Sequence, residues 1–441
     1  MKRIFLALLL AVSAEAFAAD EPGLLELSLE DCIRIGLDRS IRMANARRDE
    51  QIAGARIRQV RAQALPELKT RGSYTRLDEV ESFDMGQGPI EMGKLDNYAV
   101  SAEASQLLYS GGSVRAALKA AELYRDSSRL GTRRSEQELV RDVEIGFYGI
   151  LLAEANVEVQ RASVEQLRAL VEQAEAKYRN ETASEFELLS VRVRLANQEP
   201  VLILAQRNLE VAREAFRNLL HLEEHDFRLR GELSYEPVGV EFEQWRAEGL
   251  KRRPELIQQE KLIGLWKQDV RVEKGKYLPT IRARAAYKGA NPPAFFSGES
   301  GWDWSWDAGL TLEWDILDGG LRHGRLLEKS LELEKARDNL LDLERAVELQ
   351  IRAAYLDLKH AAEAVGATTD NVQLAEKSMG IARTRYEVGL ATYLEYTDAN
   401  LALSDARLLW FSALRAHRAA LAELRCACGL AVDEVLGETF K

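Results

Sequence analysis

The chain has 441 residues, of which 30% are charged and only 9 are proline, and its formal net charge is −11. The acidic balance argues against a nucleic-acid-binding protein, which needs a basic face. Because proline is scarce and charged residues are abundant, we expect a helix-dominated chain of two or three domains. Beyond the N-terminus no apolar run is long enough for a transmembrane helix, so we expect any membrane crossing to use strands.

The N-terminus has the pattern of a secretory signal peptide. Met1-Lys2-Arg3 precedes a short apolar run, and Ala16-Phe17-Ala18 forms a small-residue cleavage site. The sequence therefore predicts that residues 1–18 are removed from an exported protein. For such a protein the three cysteines are an odd number, and we interpret them as small apolar packing residues rather than a disulfide or metal framework. They are Cys32, Cys426 and Cys428.

The sequence repeats itself at a nearly constant offset. Leu65-Pro66 pairs with Leu278-Pro279 at an offset of 213 residues, Gly111-Gly112 with Gly319-Gly320 at 208, and Tyr178 with Tyr386 at 208. Because such a series is hard to obtain by chance, we predict two copies of one unit, residues 19–226 and 227–441.

Each copy is predicted to begin with helical sequence. In the first copy Ser28 and Asp31 read as a capping box, and the helical pattern must stop before Pro66. In the second copy Pro254 near a helix start and Pro279 at its end bracket the equivalent stretch.

A β-hairpin follows in each copy, at about 67–109 with a glycine-rich loop, and at about 279–317. The last strand is predicted over 302–316, where one face is apolar and the other acidic. A strand with one apolar face and one polar face fits a membrane barrel with an aqueous lumen, where about 9–11 residues suffice to cross the bilayer. An amphipathic strand of a soluble sandwich is the alternative.

Four tryptophans lie on the apolar face of that last strand. They are Trp302, Trp304, Trp306 and Trp314. We interpret them as lipid-facing residues of an interfacial aromatic belt, with a sugar-stacking platform or simple packing as the alternatives. On the polar faces, Arg71, Arg282, Arg284 and Lys288 stand opposite Glu103, Asp307, Glu313 and Asp315. Cross-strand ion pairs along a charged lumen would account for them, and so would ordinary surface charge.

Long helical stretches follow both hairpins. The first is predicted over about 113–223, with breaks near Asn180 and Pro200, and the second over about 321–428, with a break near Gly389. Apolar residues recur every seven positions in the second stretch, which is typical of a coiled coil. They are Leu326, Leu333, Leu340, Val347 and Ala354.

Four strands cannot close a membrane barrel, because the smallest known barrels have about eight and open edges are not tolerated in lipid. We therefore expect several copies of the chain to share one barrel. The strand count alone leaves a dimer, a trimer or a larger ring open.

Several motifs in this order resemble those of the TolC-type outer-membrane efflux protein family. They are Leu27-Ser28-Leu29-Glu30-Asp31, Leu65-Pro66, Leu108-Tyr109-Ser110-Gly111-Gly112, Leu317-Asp318-Gly319-Gly320 and Arg385-Tyr386-Glu387-Val388-Gly389-Leu390-Ala391-Thr392. The resemblance covers nearly the whole mature chain. It implies a mainly α protein with a membrane β-barrel part: a homotrimer with a shared barrel of twelve strands in the outer membrane and a coiled-coil helical tunnel in the periplasm.

By the same resemblance the protein is an exit duct for efflux or type I secretion. Its partners would be a periplasmic adaptor and an inner-membrane pump of the RND, ABC or MFS type, besides outer-membrane lipid. A periplasmic coiled-coil adaptor or scaffold is the alternative from a different class. No nucleophile elbow, phosphate-binding loop or metal pair supports an enzyme, and we expect no cofactor and no metal.

The resemblance also implies site residues at the periplasmic tip. The family's acidic constriction falls on Glu395 and Asp398, which are three apart and so share a helix face. Glu187 occupies the acidic position of a link between the two tip turns, although Ala391 replaces its basic partner. Glu181 stands where the family keeps a tip glycine. We expect adaptor docking at the two turns, around Tyr178, Ser184, Tyr386, Gly389 and Thr392.

Overall fold

A computed structural model describes most of the chain. The described residues are 25–80, 82–84, 89–91, 93–222, 226–239, 241–293 and 301–430. The predicted signal peptide at 1–18 lies outside them.

The described residues of the first half form nine elements. They are β1 (Leu25–Leu27), α1 (Leu29–Arg39), α2 (Ile41–Ala62), β2 (Glu67–Arg76), β3 (Ser82–Asp84), β4 (Pro89–Glu91), β5 (Asp96–Tyr109), α3 (Ser113–Arg179) and α4 (Glu185–Leu220). Those of the second half form seven. They are β6 (Phe227–Leu229), α5 (Phe242–Arg252), α6 (Pro254–Gly275), β7 (Thr280–Asn291), β8 (Asp303–Glu313), α7 (Leu321–Glu387) and α8 (Tyr393–Ala427). Each half thus runs through two helices, a hairpin, a 67-residue helix and a shorter helix.

The predicted helix starts are confirmed. The Ser28 side chain accepts a hydrogen bond from the Asp31 backbone N–H, and the Asp31 carboxylate accepts one from the Ser28 N–H, which is a complete capping box. Pro254 is the first residue of α6, where its missing N–H has no helical partner to lose.

The predicted break at Pro200 is wrong. Proline lies inside α4, which runs without interruption from Glu185 to Leu220. A proline in a helix interior removes one backbone hydrogen bond and costs about 3 kcal/mol. Because α4 packs along α3, its tertiary contacts keep the helix intact across this one defect.

The four long strands form a single antiparallel sheet in the order β2-β5-β7-β8. The two hairpins therefore lie side by side, joined through β5 and β7, which the sequence did not indicate. A small parallel pair, β1 with β6, links the two halves near the helices. Within the described residues, the outer edges of β2 and β8 have no partner strand.

The last strand ends at Glu313, three residues before the predicted Ile316. Glu313 is opposite Thr280, the first residue of β7, and the residue before Thr280 is Pro279. Proline has no N–H to donate to a ladder, so the pairing stops there. Trp314 leaves the strand, and its indole Nε1 donates a hydrogen bond to the Tyr277 carbonyl at 3.1 Å.

Both hairpins lead into long helices through a Gly-Gly pair. Gly112 and Gly320, the residues that precede α3 and α7, have φ angles of +83° and +90°. Residues with a side chain rarely adopt this left-handed backbone conformation, so glycine allows the chain to turn abruptly from sheet to helix.

Two equivalent hydrophobic cores hold the helices of the two halves together. One packs α1 and α3 with the end of α4, and the other packs α5 and α7 with the end of α8. The predicted heptad stripe is buried where it meets its neighbours, as at Val347 and Ala354. Cys32 lies in the first core and Cys428 in the second; both are buried and free, and Cys426 is free and half-buried.

Candidate functional site: the periplasmic tip and the membrane sheet

The two helix–helix turns at the far end from the sheet have the same backbone geometry. In the α3–α4 turn, the Thr182 N–H donates to the Lys177 carbonyl at 2.9 Å; in the α7–α8 turn, Leu390 N–H donates to the Arg385 carbonyl at 2.8 Å. These bonds to a carbonyl five residues back close both helices in the same way. The left-handed residue is Glu181 in the first turn and Gly389 in the second, with φ of +57° and +77°.

Both following helices begin with a side-chain cap. Ser184 accepts a hydrogen bond from the Glu187 N–H at 3.2 Å, and Thr392 accepts one from the Glu395 N–H at 3.3 Å. A hydroxyl at this position satisfies one of the free amides of the first turn. The predicted docking residues Ser184 and Thr392 therefore also fix where α4 and α8 start.

Helices α3 and α4 form one helical hairpin, and α7 and α8 form a second. From here on, 'hairpin' means one of these two helix pairs. The two pack against each other through one apolar cluster, which we call the tip cluster. Its buried members are Leu170, Ala174, Leu188, Val191 and Tyr393, and its half-buried members are Val171, Tyr386 and Tyr396. All four long helices contribute to it. Within it, the rings of Tyr386 and Tyr396 stack at 5.3 Å. Burial raises the pKa of Tyr396 and of Tyr393 above the usual value for a tyrosine.

Two polar contacts cross from one hairpin to the other beside this cluster. The Lys177 ammonium donates to the Tyr386 hydroxyl at 3.3 Å and lies 4.5 Å from the centre of its ring. Between α4 and α8, both terminal nitrogens of Arg194 donate to Oδ1 of Asp398 at 3.3 Å. The Arg194 guanidinium also lies 5.8 Å from the Tyr393 ring centre.

The two residues of the predicted acidic constriction are therefore not equivalent. Glu395 and Asp398 are both exposed on α8, but only Asp398 is in an ion pair among the described residues. Glu187, the predicted partner in a link between the turns, makes no ion pair within the described part of the chain. Lys177 and Arg194 make the connections instead, and sequence reasoning missed both. Their partners lie 209 and 204 residues away, with no local signal.

The apolar face of the sheet is exposed and aromatic at the end far from the helices. Trp304 stacks on Tyr287 with ring centres 5.2 Å apart and on Trp302 at 5.7 Å, and Trp306 is 77% exposed. Trp314 lies just past the opposite end of the same strand. The four predicted tryptophans thus mark both ends of an apolar band, which fits aromatic belts at two membrane surfaces.

Ion pairs cross the opposite, polar face. Arg284 is 3.1 Å from Glu103 on one neighbouring strand and 3.8 Å from Asp307 on the other, and Lys288 is 2.6 Å from Asp307. The predicted cross-strand pairing is confirmed at these residues. Arg71, Arg282 and Glu313 make no ion pair within the part of the chain that the structure describes.

None of the helices in the described ranges combines the length and the apolar composition that a bilayer crossing requires. Among the same residues, no group of three or more His, Cys, Asp and Glu side chains is arranged to hold a metal ion.

Comparison with known proteins identifies the class of this fold. The chain is similar in structure to the outer membrane protein VceC of Vibrio cholerae, with a TM-score of 0.72 and 18% identity, covering 91% of this chain and 96% of VceC. It is likewise similar to the outer membrane channel CmeC of Campylobacter jejuni, with a TM-score of 0.76 and 15% identity, covering 91% and 85% of the two chains. At these identities the likeness establishes that this chain has the same fold as those two proteins.

The family itself follows from a match to the model for the outer membrane efflux protein, over residues 33–220 and again over 245–430. The chain belongs to this family. A curated relative, protein CyaE of Bordetella pertussis, is 27% identical over 121 residues, which is 27% of this chain; the aligned part spans about a quarter of CyaE (26%).

Membership has three consequences for the predictions. The resemblance to TolC-type efflux proteins is confirmed, and so is the fold class of a mainly α chain with a β part of four strands. The protein is located in the outer membrane of a Gram-negative cell and extends into the periplasm. The family is one of outer membrane efflux proteins and not of enzymes.

Proposed function

We propose that the protein is the trimeric exit duct of a tripartite efflux or type I secretion system. In this proposal three copies share one barrel, and substrates pass from an inner-membrane pump through a helical tunnel to the outside. The pump would be of the RND, ABC or MFS type, joined to the duct by a periplasmic adaptor.

The observation that carries the proposal is the four-stranded sheet, whose two edges have no partner strand among the residues that the structure describes. Its outer face is apolar, and β2 and β8 have exposed residues along their whole length. In lipid an unpaired strand edge leaves backbone groups without hydrogen bonds, each at a cost of several kcal/mol. Edge-to-edge pairing of β2 of one copy with β8 of the next removes every such edge at once. A trimer reaches twelve strands in this way.

The same geometry supports a constriction at the tip. Glu395 and Asp398 lie on the exposed side of α8, and a threefold axis would place their copies around a narrow opening. A ring of carboxylates concentrates negative potential and attracts cations. Glu187 lies at the matching position of the first hairpin and remains a candidate for a link between neighbouring copies.

We also propose that the adaptor docks on the two tip turns. Tyr178, Ser184, Tyr386, Gly389 and Thr392 surround these turns, which are the part of the chain farthest from the sheet. Lipid would contact Trp302, Trp304, Trp306 and Trp314.

Single-channel recording in planar bilayers tests the proposal. We expect the detergent-purified protein to give small, cation-selective events blocked by divalent ions. Glu395→Ala/Asp398→Ala should give larger and less selective ones. If neither protein inserts or conducts, the shared barrel is refuted; if both conduct alike, the duct stands and the acidic constriction is refuted.

A further inference from the structure

We infer that Arg194 sets the charge, and with it the ion selectivity, of the acidic constriction by neutralising Asp398 in the resting state. The inference rests on the proposed function, because it concerns the opening that Glu395 and Asp398 would surround. It adds a basic selectivity residue from the first repeat to an acidic ring that belongs to the second.

The ion pair forms only where the first helical hairpin contacts the second. Arg194 lies on α4 and Asp398 on α8, and both terminal nitrogens of the guanidinium reach the same carboxylate oxygen at 3.3 Å. Arg194 is also held over the ring of Tyr393, which is buried in the tip cluster. The cation is therefore fixed from two sides.

The repeat explains why the charge is one-sided. At the offset of 208 residues that relates the two turns, the position equivalent to Arg194 is Ala402, and the position equivalent to Asp398 is Ser190. Neither half can form this pair by itself. The pair requires both hairpins to be packed together.

The Arg194–Asp398 pair is strong enough to neutralise the carboxylate but too weak to hold the two hairpins together. The Asp398 side chain is 62% exposed and that of Arg194 33%, and a pair this accessible to water contributes little to stability. It is too weak to hold the hairpins closed. A cation 3.3 Å away is nevertheless well inside the screening length of about 8–10 Å, so a passing ion meets a neutral pair.

In the resting trimer the unpaired carboxylates at the constriction are then the three copies of Glu395. When the hairpins separate, Arg194 leaves Asp398 and the ring gains three more negative charges. The duct should therefore become more cation-selective as it opens.

The test measures cation-over-anion permeability from reversal potentials in a potassium chloride gradient. Because one more unpaired carboxylate per copy faces the opening, we expect Arg194→Gln to raise the ratio about twofold or more. Asp398→Asn should lower it in the wild-type background, because it leaves Arg194 as an unpaired cation, and should return it close to the wild-type ratio in the Arg194→Gln background. Glu395→Gln should lower it in both.

Two control variants make the result specific. Arg192 lies two residues away on α4 and pairs with Glu175 of α3, within the same hairpin, so Arg192→Gln should leave the ratio unchanged. Arg194→Lys keeps the positive charge and should stay near the wild-type ratio.

The inference is overturned if Arg194→Gln and Arg192→Gln behave alike. It is also overturned if Asp398→Asn leaves the ratio unchanged in the wild-type background, a comparison that does not depend on how Arg194→Gln folds. A wild type that fails to conduct would instead refute the proposed function. A conducting, cation-selective wild type with an unaltered Arg194→Gln ratio refutes only the role of Arg194.

Discussion

The two helical hairpins have the same backbone conformation at their turns but different side chains. Each turn closes with a hydrogen bond from a backbone amide to the carbonyl five residues before it, and each following helix begins with a hydroxyl cap. The first hairpin contributes the cations Lys177 and Arg194, and the second contributes their partners Tyr386 and Asp398. A duplicated unit is thus complementary to its own copy at the surface where the two helical hairpins touch.

The largest effect should come from the apolar contact between the hairpins. Leu188 is buried in the tip cluster, where removing a leucine side chain costs about 2–5 kcal/mol. We expect Leu188→Ala to loosen the contact, so that hydrogen exchange of the backbone amides at both tips accelerates and the mean conductance rises.

A neighbouring residue provides the control. Leu189 is 50% exposed and lies outside the tip cluster, so Leu189→Ala should leave exchange at the second tip unchanged. If Leu188→Ala accelerates exchange only in the first hairpin, the two hairpins do not support each other through this cluster.

The features predicted from sequence are those with local signals. The capping box at Ser28, the turns around residues 180 and 389, and the alternation of the tryptophan strand are each set by residues close in sequence. The two local errors have local causes as well. Packing along α3 keeps α4 helical at Pro200, and the last strand stops at Glu313 because its partner β7 begins at Thr280.

Contacts between the repeats could not be predicted in this way. The pairing of β5 with β7 and the ion pair of Arg194 with Asp398 join residues that the sequence separates by most of a repeat. Resemblance to a family indicated the two acidic residues. It did not indicate that one of them has a counter-ion, because Arg194 belongs to no motif of the sequence.

The left-handed position of the turns gives a second, smaller contrast. Gly389 adopts φ of +77° without strain, whereas Glu181 adopts +57° with a side chain that disfavours it by about 1–2 kcal/mol. We expect Gly389→Ala to destabilise its turn by about 1 kcal/mol and Glu181→Gly to stabilise its own by up to about 1 kcal/mol. Hydrogen exchange of the amides at 180–184 and 388–392 measures both.

A helical glycine provides the control for that contrast. Gly380 lies within α7 with no atom close enough to obstruct an added methyl group, so Gly380→Ala should stabilise the helix. If Glu181→Gly weakens its turn instead, the Glu181 side chain contributes a contact that outweighs the backbone strain.

The smallest effect concerns the hydrogen bond between the turns. Tyr386→Phe removes the hydroxyl that Lys177 contacts at 3.3 Å but keeps the ring that lies under the ammonium and stacks on Tyr396. Because both groups are accessible to water, the loss should be about 0.5–1 kcal/mol. Lys177→Met also removes the cation–π contact and should cost about 0.5–1 kcal/mol more. In a double-mutant cycle read by hydrogen exchange at both tips, Tyr386→Phe should have little further effect once Lys177 is replaced. Additive losses would mean that the two residues act on separate parts of the tip.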